Sequence, residues 1–267
     1  MTPVFDFAQG TLPLLISIPH AGTELPDALR QRLSPPARAV PDTDWHVEKL
    51  YAFAAAMGAS VLKANYSRYV VDLNRPTDGA LLYPGQRETG LCPLITFNDE
   101  PLYAPGDEPG AEEVAERVTA YWKPYHDRLA ATLEAIKARH GFAVLWDAHS
   151  IRSRVPVLFE GRLPDFNLGT GAGTACPAEV AEDLLAVARS ADGFSAVLNG
   201  RFKGGYITRH YGRPEDNIIA VQLELAQSAY MDEGQPLLWD ASRAEAAQQV
   251  IERLLRALVE RARRWVG

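Results

Sequence analysis

Cysteine is scarce in this chain: two thiols, Cys92 and Cys176, in 267 residues, and neither lies in a Cys-x-x-Cys pair. That excludes a disulfide framework and a thiolate zinc site. Basic charge is also short. Lysine and arginine total 27 against 34 acidic residues, a formal net charge of −7. Phosphate backbones and anionic membranes need a cationic face, so neither is an expected partner. No window approaches the roughly 18 consecutive apolar residues of a membrane-spanning helix. The segment from Met1 to Gly10 lacks the basic stretch and apolar run of a secretion signal. No low-complexity linker or solenoid-length repeat divides the chain. The expectation is one soluble, reduced, cytoplasmic domain over residues 1–267, with its oligomeric state left open.

What is present alternates between strand-like and helical patterns. The hydrophobic fraction of 47% is enough for a sizeable core. Leu14 to Ile18 reads as a buried strand, closed by Pro19-His20-Ala21-Gly22. Asp44 to Met57 has helical spacing with Gly58 as its cap, and residues 59–64 and 69–73 read as short strands. Tyr83 to Gly110, rich in proline and glycine, reads as a surface excursion. A helical stripe covers 111–140, which Pro124 should kink or split. Phe142 to Trp146 is a buried strand running into Asp147-Ala148-His149-Ser150. Residues 155–159 and 195–199 are further strands, separated by a Gly-rich loop and a helix near 178–190. Residues 218–225 place Ile219, Val221, Leu223 and Leu225 on one face, with Gln222 and Glu224 on the other. A last helix, about Ser242 to Trp265, opens with a capping box of Ser242 and Glu245. The pattern predicts an α/β sandwich with a mixed, largely parallel sheet.

Open α/β sheets bind ligands at the carboxyl ends of their strands. His20, His149, Glu224 and the Asp72-Leu73-Asn74-Arg75 run all fall at such positions. Singly, each has an ordinary explanation: a loop hydrogen bond for a histidine, an N-cap for Asp42 or Asp44, a surface arginine for Arg75. Glu224 on a half-buried strand is harder to dismiss, because buried charge needs a partner. Together they could serve metal chemistry. Two imidazoles and a carboxylate can hold zinc with a position open for water, and a further carboxylate can move the water's proton. One arginine could face an oxyanion, and another, with an asparagine, a substrate carboxylate. His46, His126 and His140, at or within helices, read as structural.

With these stretches in view, the chain resembles the N-formylglutamate amidohydrolases. The resemblance rests on Ser17 to Thr23, Asp42-Thr43-Asp44-Trp45, Tyr66 to Pro76, Trp146 to Ser150, Pro164 to Thr170, Phe202 to Gly212 and Gln222 to Leu225. It implies hydrolysis of N-formyl-L-glutamate to formate and L-glutamate in histidine degradation. It also implies a single-domain, three-layer fold similar to the zinc carboxypeptidases and aspartoacylases. By that resemblance His20 and His149 are zinc ligands, Glu224 is the general base, and Arg68 faces the oxyanion. Asn74 and Arg75 bind a substrate carboxylate, and Arg209 could bind the second carboxylate of a small dianionic amino-acid substrate. The wider group often has a carboxylate three residues after its first histidine; that position is Thr23 here. Asp44 is favoured as third ligand, with Asp42 and Glu24 as alternatives. Another divalent metal would also suit these donors.

Rival readings are a zinc amidase for another N-acyl amino acid, such as an acetylated or succinylated one, and a metal-free binding protein. A serine hydrolase is the weakest, because no Gly-x-Ser-x-Gly elbow surrounds Ser150.

Overall fold

The structure, a computed structural model, describes residues 2–82 and 85–266. Its strands are β1 (Phe5–Ala8), β2 (Leu14–Ile18), β3 (Ser60–Ala64), β4 (Ala143–Ile151), β5 (Phe166–Gly169), β6 (Ala196–Leu198) and β7 (Ile218–Ala226). Its helices are α1 (Asp27–Arg32), α2 (Pro35–Arg38), α3 (Val47–Leu50), α4 (Ala54–Met57), α5 (Ala111–Arg117), α6 (Lys123–His140), α7 (Ala178–Arg189), α8 (Tyr206–Tyr211) and α9 (Ala241–Val266). The strands form one sheet in the order β1-β3-β2-β4-β7-β5-β6. β2 runs parallel to β3 and β4, and β4 parallel to β7. β5 is antiparallel to β7 and β1 to β3, so the sheet is mixed and largely parallel as expected.

Alternation along β4 and β7 builds the layers. Val144, Trp146 and Ala148 join Ile219, Val221, Leu223 and Leu225 against α7 and α9. Ala143 and Leu145 join Ile218 and Ala220 against Tyr125, Leu129, Leu133 and Ile136 of α6. Both faces of the central strands are buried, which is why they read as continuous apolar runs. Each buried Leu- or Ile-sized side chain contributes about 1.5–3 kcal/mol. Trp146 is fully buried and donates its indole N–H to the Tyr51 hydroxyl at 2.6 Å.

Several elements differ from the sequence reading. The helix expected over 44–57 is two short pieces, α3 and α4, preceded by His46 in the left-handed region at φ 61°. Tyr51 lies between the pieces and turns its hydroxyl inward to Trp146; this tertiary contact prevails over helical spacing. Gly58 does cap α4, at φ 92°. The 111–140 stripe breaks at its proline: Val118–Trp122 forms a π turn, and α6 starts afresh with Pro124 in its first turn. There the missing proline N–H costs nothing.

Residues 69–73 form a buried turn and 155–159 a partly buried one, not strands. Tyr69 and Val70 fill one apolar cluster, Val71 and Leu73 another, and Val155 a third. A short apolar run signals burial before it signals pairing. β5 went unread for the converse reason: Phe166-Asn167-Leu168-Gly169 is short and half polar. In α9 the cap is Asp240, whose Oδ1 accepts the Ser242 and Arg243 amides, displacing the expected Ser242–Glu245 box. Residues 85–110 carry no helix or strand, as expected for the excursion; its first residue, Tyr83, lies outside the described residues. Among the described residues no helix is long and apolar enough to cross a membrane.

Candidate metal centre and active site

The site begins where the α6-facing side of the sheet turns polar. Beyond Ala143 and Leu145, β4 continues with Asp147 and His149; beyond Ile218 and Ala220, β7 continues with Gln222 and Glu224. The register pairs Asp147 with Gln222 and His149 with Glu224. The sheet ladder therefore sets His149 and Glu224 side by side on one face, at the carboxyl ends of parallel strands. His20 arrives two residues after β2, and its carbonyl accepts the Asp44 amide at 3.1 Å.

Three side chains converge. Asp44 Oδ2 lies 3.0 Å from His149 Nδ1 and 3.8 Å from His20 Nδ1, and one donor atom from each residue lies within 4.8 Å of the others. All three are buried. The opposite ring nitrogens face partners of their own. His20 Nε2 donates to Asp72 Oδ1 at 2.7 Å. His149 Nε2 lies 2.9 Å from Asn74 Nδ2 and 3.2 Å from Asp147 Oδ1. The two Nδ1 atoms and Asp44 Oδ2 thus form a nitrogen–nitrogen–oxygen donor set with supporting carboxylates behind it, a pattern that suits a divalent metal. Asp147 Oδ1 supplies a further test. It is buried without a hydrogen-bond partner, and a cation on His149 Nδ1 would fix the proton on Nε2, facing that oxygen and leaving the Asn74 amide to donate to Asp147 Oδ2, 3.4 Å away. The residues fit such an ion.

Electrostatics agree. Burial works against charge on His149, but Asp147 and Asp44 outweigh it and hold its pKa well above the ordinary value. This environment favours a positive charge, whether proton or metal. Burial and Arg68 push His20 down, towards the neutral imidazole a metal requires. Burial would raise Asp72, yet Arg68 and His20 prevail and hold its carboxyl well below the usual range. Burial pushes Glu224 up to about 8, against the pull of His149, and Gln222 Nε2 donates to its Oε2 at 3.0 Å.

The remaining residues singled out from the sequence divide. Arg68 lines the cavity, donates Nη2 to Asp72 Oδ2 at 2.6 Å and lies over the Phe97 ring. Asn74 and Arg75 also line it. Asn74 Oδ1 accepts the Ile207 amide at 2.8 Å, while Arg75 donates to Thr89 O at 2.7 Å and to its own neighbour's carbonyl. Gly205 is obligatory here: a Cβ would fall 2.3 Å from Asn74 Nδ2. Arg209 is not among the lining residues; its Nε donates to Gly204 O at 2.8 Å. Of the alternative ligands, Asp42 accepts the Tyr69 hydroxyl at 2.6 Å and the Phe97 amide at 2.8 Å, and Glu24 is exposed.

Sequence reasoning assigned no roles to Asp72 and Asp147, although both sit in stretches it had marked. Their signal was position: Asp147 is two residues before His149 on one strand face, and Asp72 two before Asn74. It also passed over Arg87 and Arg201, which line the cavity from loops; nothing in the local pattern marks them.

Known proteins give the same direction. The model of the N-formylglutamate amidohydrolase family matches residues 12–231. An N-formylglutamate deformylase of Pseudomonas aeruginosa is 55% identical over 259 residues, 97% of each chain. One of Pseudomonas putida is 53% identical over the same share. The solved N-formylglutamate amidohydrolase of Ralstonia eutropha superposes with a TM-score of 0.82 at 26% identity, covering 97% of this chain and 98% of that one. A solved Agrobacterium tumefaciens protein shares the fold, with a TM-score of 0.71 at 16% identity and 96% coverage of both chains. The matched span runs from before β2 to beyond β7 and so contains every residue of the donor set and its surroundings: this amidohydrolase chain belongs to the N-formylglutamate amidohydrolase family.

Proposed function

We propose that this enzyme hydrolyses N-formyl-L-glutamate to formate and L-glutamate in the cytoplasm, as a step of histidine degradation, with zinc held by His20, Asp44 and His149. The observation that carries the chemical part is the register pair of His149 and Glu224 beside a buried His-Asp-His cluster. Zinc bound by three protein donors would acidify a coordinated water and polarise the formyl carbonyl. Other divalent ions that accept nitrogen and oxygen donors fit the same set.

The chain's own groups then have separate tasks. Glu224 takes the proton of the attacking water and returns it to the departing amine as the C–N bond breaks. A neighbouring divalent cation favours the carboxylate, drawing Glu224 down from about 8 into the range of a working base. Arg68, oriented by Asp72, faces the developing oxyanion. Arg75 meets the substrate's α-carboxylate beside the scissile bond, with Asn74 holding the wall that joins it to His149. The dianionic substrate explains why an acidic protein gathers arginines around one cavity.

The test is glutamate release from N-formyl-L-glutamate before chelation, after chelation and after zinc is added back. Activity should vanish on chelation and return with zinc. Full activity in the chelated protein would refute the metal assignment. No release in any state would refute the substrate and turn attention to other N-acyl amino acids.

A further inference from the structure

N-formylglutamate carries a second carboxylate, at the end of its side chain, and Arg209 does not line the cavity. Arg201 does. It sits in the loop between β6 and α8, and the loop's far end is fastened to the site itself. Gly205 N–H donates to Gln222 Oε1 at 2.7 Å, and Gly204, at φ 109°, packs where a Cβ would fall 2.9 Å from the Gly171 amide. The guanidinium is oriented by carbonyls of two other loops. Nε donates to Leu158 O at 2.7 Å and Nη2 to Arg87 O at 3.0 Å. Its Cζ lies 5.3 Å from the Phe202 ring centroid. Two carbonyl acceptors and an aromatic ring orient a planar cation, and a pre-set guanidinium is the group best shaped to take a carboxylate by paired hydrogen bonds.

Placement decides which carboxylate. Arg75 is joined to the metal side of the cavity, because Nη1 holds the carbonyl of Asn74, whose amide touches His149. Both arginines reach the 85–110 segment, Arg75 at Thr89 O and Arg201 at Arg87 O, but the second tie of Arg201 is to the Leu158 turn rather than to Asn74. A substrate with its formamide at the cluster must keep its α-carboxylate close to that end and extend its side chain away. Building on the deformylase reading above, we propose that Arg201 binds the side-chain carboxylate and makes the site selective for acidic N-formyl amino acids.

The experiment compares N-formyl-L-glutamate with N-formyl-L-glutamine, its neutral isostere, in the zinc-loaded full chain and in Arg201→Gln, Arg201→Lys and Arg209→Gln. Arg201→Gln should lower kcat/KM for formylglutamate about 10- to 100-fold, mostly through KM, and change formylglutamine less than about threefold. Turnover of the neutral substrate shows that the variant is folded. Arg201→Lys should recover part of the loss. Equal losses on both substrates, or a preference for glutamate that survives in Arg201→Gln, would overturn the assignment. So would loss of the preference in Arg209→Gln alone. A parent enzyme that releases formate from neither substrate would instead overturn the deformylase reading, which separates the two failures.

Discussion

His149 and Glu224 reach the site from neighbouring strands, whereas Arg68, Asp72, Asn74, Arg75 and Arg201 reach it from loops. The two halves are held by different physics. In the strand half the ladder fixes position: a slip of one residue would turn His149 and Glu224 into the apolar face now occupied by Trp146 and Leu223. In the loop half no ladder exists, and the backbone is fixed by side chains. Asp72 Oδ1 accepts the Asn74 amide at 2.8 Å, and Arg75 grips Thr89. His126 of α6 donates Nε2–H to Leu73 O at 2.9 Å. By this reading Glu224 and one candidate metal ligand, His149, stand on the ladder, while His20, Asp44, Arg68 and the cavity-lining arginines stand on segments outside the strands.

The largest effect should come from the strand half. Glu224→Gln keeps shape and removes the proton carrier, so kcat should fall about 10²- to 10⁴-fold while metal content, measured on the same preparation, stays at one ion per chain. Retained turnover would end the general-base assignment. Loss of the metal together with turnover would mean that the two halves are not separable at this position.

Asp72 lies where the halves meet, since its two oxygens serve His20 and Arg68 separately. Asp72→Asn retains an acceptor for His20 but can set an amide N–H against Arg68. At saturating zinc, kcat should drop about 10- to 100-fold, with a smaller loss of zinc affinity in a chelator competition. A variant that loses zinc yet recovers full kcat when zinc is saturating would show that Asp72 serves the metal alone, and Arg68 would need no positioning.

The same division explains what the sequence disclosed. Period-two alternation in 218–225 separates Glu224 from the core residues around it, and the apolar run before His149 marks its strand, so the sheet and the strand half were legible. The loop half was legible only as composition. Tyr69 to Leu73 is as apolar as a strand because it fills two clusters, and nothing local distinguishes that from pairing. Arg201 was invisible because its meaning lies in carbonyls more than 40 residues away in sequence, Leu158 O and Arg87 O. The candidate third ligand lay between: three acids, Glu24, Asp42 and Asp44, were available after the first histidine, and tertiary placement put Asp44 beside both histidines.

The smallest effect, and the sharpest on the loop half, concerns His126. It is buried beneath the Asp72–Arg75 run, stacked between Trp122 and Tyr211, and accepts the Tyr211 hydroxyl on Nδ1 at 2.9 Å. Burial lowers its pKa to about 3 from 6.5. The folded protein therefore holds this imidazole neutral where the unfolded chain protonates it. Between pH 6.5 and about 3 the unfolded state binds the extra proton, so stability present above pH 6.5 is lost on acidification. This one group should contribute about 1.4 kcal/mol per pH unit. Denaturant titrations from pH 7 to 5 should show that slope flattened in His126→Gln by about that amount. Because Leu73 O is its partner, amide-exchange protection factors at residues 72–75 should fall on acidification before those of β4 and β7 do. If all three segments loosen together, the loop half is not a separate unit, and the contrast between frame and loops dissolves into one cooperative structure.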